Sequence, residues 1–364
     1  MQISTITSYL ESIAPLSYQE NYDNSGLLTG SLDQDVNQVL ICLDCTEEIV
    51  DEAIQKKCNL IISHHPIIFS GLKKLNGKNY IERTIIKAIK NDIAIYAFHT
   101  NLDNVRNGVN SKICQKLGLI NTKVLAPKAG LLKKLITFCP TEYADKVRNA
   151  LFEVGAGHIG NYDCCSYNTD GTGTFKGLEN SNPFVGEQNK LHREPEVKIE
   201  TIFSSHIQKS IIKALLDSHP YEEVAYDIIQ LDNNHSKVGA GMIGELQNHV
   251  DETTFLKIIK EKLNAQCIRY TKLLNNEVKK VAVCGGAGSF LLSEAIAQKA
   301  DMFVSADFKY HQFFDANNRI VIADIGHFES EQYTKDLILE LIKEKFPNFA
   351  VHLSEINTNP INYL

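Results

Sequence analysis

Apolar residues at Ile3, Ile6, Leu10 and Ile13 recur near helical spacing and predict an amphipathic helix over residues 2–14. Three largely apolar runs follow, at 36–43, 59–63 and 93–98, each bounded by polar turns, and these read as buried strands. Helices are expected between and after them. Thr46 caps one that runs to Cys58, with Glu47 and Glu48 in its first turn, where carboxylates favour the helix dipole. Others are expected over 80–91 and 108–117, and Tyr22-Asp23-Asn24-Ser25-Gly26 reads as a loop. Strands alternating with helices argue for a largely parallel α/β sheet.

Beyond residue 127 the pattern changes. A strand at 135–139, a helix at 142–154 and a strand at 163–167 are followed by a polar, Gly-rich stretch from 168 to 194. The same order then repeats, with a strand at 198–203, a helix at 207–218 and a strand at 224–231. Two βαβ units in succession predict a ferredoxin-like domain. The α/β pattern then resumes: helix 255–263, strand 280–284, helix 290–299, strand 302–305, strand 319–324 and a helix from about 327 to 345. The expected organisation is therefore a core in two halves, 1–127 and 239–364, interrupted by an inserted domain at 128–238.

Composition narrows the function classes. The 364 residues suffice for two or three domains, and 43% hydrophobic with 22% charged residues is the balance of a globular protein. A net charge of −7 and the lack of a basic, aromatic-studded surface argue against a nucleic-acid partner. No apolar stretch approaches the ~20 residues of a membrane span, and the N-terminus lacks a signal-peptide pattern. The cytoplasm is the expected location. Nine scattered cysteines, an odd number, read as reduced thiols.

The chemistry lies where apolar runs end. Ser63-His64-His65-Pro66 closes the second strand, His99-Thr100-Asn101-Leu102-Asp103 the third, and Gly326-His327-Phe328-Glu329-Ser330-Glu331 a later one. Neighbours on an extended strand face opposite ways, so His64 and His65 should diverge and serve two adjacent metals, one each. Asp103 lies beyond the carboxyl end of a strand, the usual place for sites in open α/β sheets. His327 and Glu331, four apart, share one face if that segment is helical, and a carboxylate can bridge two cations. Any one of these clusters alone is commonplace surface polarity; three at strand ends are not. The ligand set His64, His65, Asp103, His327 and Glu331 is expected to hold two divalent cations. Zinc is the first choice, and nitrogen and oxygen donors without thiolate also admit Mn, Fe, Co or Ni.

Six ordered motifs carry a resemblance over essentially the whole chain. Besides the three above they are Tyr22-Asp23-Asn24-Ser25-Gly26-Leu27-Leu28, Cys284-Gly285-Gly286-Ala287-Gly288-Ser289 and Asp307-Phe308-Lys309-Tyr310-His311. The chain resembles the NIF-three-like family, the GTP cyclohydrolase type-2 homologs. That resemblance implies the same five metal ligands, a toroidal homohexamer with sites facing an internal cavity, and an insert similar to nitrogen-regulator PII and copper-tolerance proteins. The family commonly carries Trp where Tyr22 stands and Val where Ser25 stands; an aromatic is retained at the first.

Other residues have two readings each. The turn 284–289 could cradle a phosphate on its backbone N–H groups or merely need glycine geometry. Lys309, His311 and His99 are candidates for proton or anion handling. Cys42 and Cys45 match Cys-x-x-Cys, but the first sits inside a strand, so structural cysteines are expected. Cys164 and Cys165 are expected on a strand, facing opposite ways. His219 with Glu222 and Glu223 is read as a loop motif in preference to a metal site, and 171–177 as a hairpin or mobile loop. The sequence thus points to a metal-dependent hydrolase for a nucleotide-like or phosphorylated small molecule. The alternative is a non-enzymatic metal-binding or regulatory scaffold.

Overall fold

The structure, a computed structural model, describes residues 1–364. The chain forms two compact units, one of Met1–Pro127 with Lys237–Leu364 and one of Lys128–Ser236.

In the larger unit, strands β1 (Gly26–Thr29), β2 (Val39–Cys42), β3 (Leu60–Ser63) and β4 (Ala94–Ala97) precede β5 (Ile120–Pro127). The four central residues of β2, β3 and β4 are all buried, which is why these runs show no polar alternation. Helices Glu47–Gln55 and Tyr80–Lys90 lay Ile49, Val50, Ala53, Ile85 and Ala88 over Leu40, Ile61 and Ile95. Thr46 and Asn79 cap these two helices, each accepting a backbone N–H three residues on.

The smaller unit holds β6 (Leu132–Pro140), β7 (Ser166–Lys176), β8 (Leu191–Ser204) and β9 (Tyr226–Leu231), with helices Ala144–Glu153 and Gln208–Ser218. Its sheet runs β7-β8-β6-β9, all neighbours antiparallel, and both helices pack on one face over Leu135, Val197 and Ile199. This is the βαβ–βαβ order with the two halves interleaved. Of the two readings of the Gly-rich segment, hairpin and mobile loop, the hairpin is what forms. Residues 171–174 belong to β7, paired along its length with β8 (Gly171 opposite Glu196). No β7 residue is buried and most are exposed, so no hydrophobic period announced its length. Neither Cys164 nor Cys165 is on that strand, which begins at Ser166; Cys164 occupies a left-handed turn, φ 55°, ahead of it.

The chain returns to the larger unit with β10 (Gly239–Asp251), β11 (Arg269–Tyr270), β12 (Glu277–Ala287), β13 (Met302–Ala306), β14 (Val321–Asp324) and β15 (Val351–Leu353). One sheet runs β1-β4-β3-β2-β15 and a second β11-β14-β13-β12-β10-β5. The first is parallel from β4 to β15, with β1 antiparallel at one edge; the second is parallel over β14-β13-β12 and antiparallel toward both edges. The helix expected over 327–345 is broken into His327–Glu331 and Thr334–Lys345. No helix is long and apolar enough to cross a membrane. All nine cysteines are free thiols; Cys42 and Cys45 are both buried.

Candidate metal centre

The carboxyl ends of parallel strands from both sheets deliver the site. His64 and His65 continue β3, their N–H groups donating to Cys42 and Leu43 carbonyls at 3.2 and 2.9 Å. Asp103 ends the short helix Thr100–Asp103 that follows β4. His327 and Glu331 bound the helix after β14, and Gly286 of β12 approaches them. The glycine is required there. Its φ is +62°, and a Cβ would stand 2.5 Å from Glu331 Oε1 and 3.3 Å from His327 Nε2. Gly286 N–H also donates to Ser330 Oγ at 2.9 Å, fixing strand and helix together. Of the two readings of this turn, close backbone approach is what the structure displays.

Glu331 is the centre of the arrangement. Its side chain is buried, with Oε1 3.8 Å from His64 Nε2, and Oε2 2.9 Å from His65 Nε2 and 3.1 Å from His327 Nε2. Asp103 Oδ1 lies 3.6 Å from His64 Nε2. Two clusters therefore share Glu331: His64 with Asp103, and His65 with His327, the donor atoms of each lying within 4.8 Å of one another. The rings of the adjacent histidines do not face opposite ways: their centroids lie 4.8 Å apart, their planes are tilted by 50°, and both Nε2 atoms turn toward Glu331.

Each imidazole is held from behind. His64 Nδ1 meets the Phe98 carbonyl at 2.9 Å, His65 Nδ1 meets Asp44 at 2.7 Å, and His327 Nδ1 meets Asp307 at 2.7 Å. Such contacts fix ring orientation and leave Nε2 as a lone-pair donor aimed inward. Thr358 donates to Asp44 at 2.7 Å, so the C-terminal tail braces one of them.

The polar accounting favours a cation. His64 Nε2 and Asp103 Oδ1 are buried and have no hydrogen-bond partner, although they face one another. His65 and His327 set their Nε2 atoms 3.4 Å apart. Buried polar atoms are rarely left unpaired, and ligands for a shared ion would be. The electrostatics agree. Burial opposes charge on His65, yet hydrogen bonds to Asp44 and Glu331 raise its pKa to about 10. The charge of Glu331, with help from Asp307, raises His327 to about 11 against its burial. Burial alone would push Glu331 up, but His327 and its imidazole neighbours hold it well below the carboxylate range. Asp103 is raised by burial, with His64 opposing. Anionic oxygens thus attract positive charge strongly at this point.

His99 also lies here. A ring nitrogen is within 4.8 Å of the His64 and His65 donors, while Nδ1 meets Asp23 at 2.7 Å. Lys309 and His311 are elsewhere: both are exposed at the start of the 3-10 segment Tyr310–Ala316 and neither lines the cavity over the site. From that motif it is Asp307 that reaches the site. His219 commits both ring nitrogens, to the Phe138 carbonyl and the Tyr221 N–H, as a loop motif would. Sequence reasoning missed Asp44, Asp307 and the anchoring carboxylate of Asp23. Their only local signal was a carboxylate just after a strand or beside a motif aromatic.

Fold and site together define an α/β protein with a carboxylate-bridged cluster of imidazoles able to hold metal. The chain belongs to the Duf34/NIF3 (NGG1p interacting factor 3) family, whose profile matches residues 1–360. A "GTP cyclohydrolase 1 type 2 homolog" of Bacillus subtilis is 39% identical over 365 residues, covering 99% of this chain and 98% of that protein. One of Staphylococcus epidermidis is 35% identical over 368 residues, covering 100% of both. Among solved structures, a Bacillus cereus protein related to NIF3 matches with a TM-score of 0.86 at 41% identity, covering 100% of this chain and 99% of that one. A Staphylococcus aureus protein matches with a TM-score of 0.79 at 32% identity and the same coverage.

Proposed function

We propose that this protein is a dinuclear metal-dependent hydrolase acting on a nucleotide-like or phosphorylated small molecule, in keeping with the names its relatives carry. The observation that carries the reading is the facing pair of unpartnered buried atoms, His64 Nε2 and Asp103 Oδ1, in a set of otherwise tethered donors. His64, Asp103 and Glu331 Oε1 would hold one cation; His65, His327 and Glu331 Oε2 would hold the other. Two divalent cations supply Lewis acidity and lower the pKa of water toward ~7. The chain's part is to orient: Asp44, Asp307 and the Phe98 carbonyl fix the tautomers, and Asp103 and Glu331 supply the counter-charge. His99, steadied by Asp23, is placed to hold or pass a proton at the cavity wall. Zinc is the metal we favour, a homohexamer the assembly, and the cytoplasm the location, all three from family resemblance and composition.

A second reading, a non-enzymatic metal-binding or regulatory scaffold, draws on the family's description as an interacting factor. Elemental analysis of the purified protein beside His65→Ala tests the site. About two metals per chain, reduced in the variant, is expected; no stoichiometric metal after reloading with Zn or Mn refutes the hydrolase. A variant that loses turnover but keeps its assembly speaks for an enzyme, and one that loses assembly for a structural metal.

A further inference from the structure

Two segments of the smaller unit, 171–175 and 219–223, have no part in the metal centre, yet their residues meet at a cavity of about 770 Å³. The cavity lies within that unit, on the face of its sheet that the helices leave uncovered. Val197 and Ile199 pack under the helices, so Glu196 and Lys198 point the other way. The register sets Phe138 opposite Lys198, and Gly171 opposite Glu196, on this open face.

Four rings stand in the wall: Phe138, Phe175, Phe184 and Tyr221. Tyr221 is central, with its centroid 6.1 Å from that of Phe175 and 6.3 Å from that of Phe184. It is held from behind. His219 Nδ1 accepts the Tyr221 N–H at 3.1 Å, while His219 Nε2 donates to the Phe138 carbonyl at 2.9 Å. The Tyr221 hydroxyl donates to Glu196 Oε1 at 2.8 Å. Gly173 leaves the space that this carboxylate fills, since a Cβ there would collide with Glu196 Oε2. The segment bearing Phe184 is tied to the opposite wall by the Asn182 N–H, which donates to Glu222 at 2.7 Å. Phe184 itself rests edge-on against Tyr143, with centroids 5.5 Å apart.

Carboxylates outnumber cations in this cavity. Asp170, Glu196, Glu222 and Glu223 face Lys176 and Lys198, and Lys198 Nζ is already paired with Glu200. Aromatic faces beside carboxylates favour a bound cation, because the ring quadrupole and the anionic oxygens both attract positive charge. A bare ammonium brings three donors that need acceptors. Here Tyr221 and Asn182 already engage Glu196 and Glu222, whereas an alkylated ammonium needs no acceptor and lays its methyl groups on the rings. A cavity of this size, lined by aromatics with a few placed polar groups, is the ordinary form of a small-ligand site.

We infer that the inserted unit carries a binding site for a small alkylated ammonium ion, seated against Tyr221, Phe175 and Phe184 with Glu196 as its counter-charge. The site shares no residue with the metal centre and does not depend on the function proposed for it.

Isothermal titration calorimetry of the full-length protein with choline and with neohexyl alcohol, its uncharged carbon isostere, tests the assignment. Choline is expected to bind once per chain, and neohexyl alcohol at least about 10-fold more weakly. Glu196→Gln and Phe184→Ala should each weaken choline binding about 10-fold, while Phe184→Tyr retains it. Glu196→Gln should leave the affinity for neohexyl alcohol unchanged. Circular dichroism shows that each variant is folded. Equal affinity for choline and its isostere, no heat with choline at millimolar concentration, or unaltered choline affinity in both weakening variants overturns the inference. Absence of choline binding together with a changed oligomeric state in Phe184→Ala assigns this face to a contact between copies of the chain and likewise overturns it.

Discussion

Asp23 is the residue whose loss should be felt most widely. Its side chain is fully buried, pairs with His99 Nδ1 at 2.7 Å, and accepts from Thr100, Asn24 and Ser25. Asp23→Ala would strand the His99 ring nitrogen and the Thr100 N–H and hydroxyl away from water. Leaving buried hydrogen-bonding groups without their acceptor costs about 1–3 kcal/mol each, so a loss of about 3–5 kcal/mol is expected; in a unit of this size each kcal/mol lowers Tm by about 2–4 °C, a fall of about 10 °C at pH 7. Thermal unfolding by circular dichroism in EDTA reads it without interference from metal. The pH dependence fixes the mechanism. Burial would raise the Asp23 pKa, but His99, Thr100 and the Asn24 N–H outweigh it and hold it far below the ordinary carboxylate value. A depressed folded-state pKa stabilises above the unfolded pKa of ~3.9 and ceases to do so as pH falls below it. The difference in Tm between wild type and Asp23→Asn should therefore be full at pH 5–7 and shrink as the pH drops below ~4. An Asn variant within 2 °C of wild type at pH 7, or a gap that widens on acidification, would refute the argument.

Two further substitutions probe how the site is held. Asp44→Asn should weaken metal binding by about 10–100-fold, the usual cost of removing the carboxylate behind a ligating histidine, with Thr358→Val acting in the same direction but less; competition with a chromogenic zinc chelator measures both. Gly286→Ala should destabilise the protein by about 1–3 kcal/mol and lower metal content, because a methyl group at φ +62° meets Glu331 Oε1 at 2.5 Å; urea unfolding and elemental analysis would show both, and an unchanged midpoint would remove the close-approach explanation.

What the sequence revealed and what it hid have separate physical causes. β2, β3 and β4 were legible because a strand buried on both faces must be apolar throughout. β7 was not, since an exposed ribbon is specified by its pairing with β8 and not by any period of its own. β10, rich in glycine, is likewise placed by its neighbours β5 and β12. The metal-facing atoms followed the same division. His64-His65 and the His327–Glu331 spacing are local patterns, and local geometry sufficed to aim them. The groups that steady them are not local: Asp44 lies 21 residues from His65, Asp307 lies 20 from His327, and Asp23 lies 76 from His99. Nothing in a short window distinguishes such a carboxylate from a solvated one. In each case it stands beside a strand end or a motif aromatic, where the fold returns the chain to the same edge of a sheet. The position of a carboxylate relative to strand ends therefore tells more about its role here than its distance in sequence from the histidine it serves. Lys309 and His311 make the complementary point: proximity to Asp307 in the chain put them in a motif, yet the turn after β13 directs only the aspartate inward.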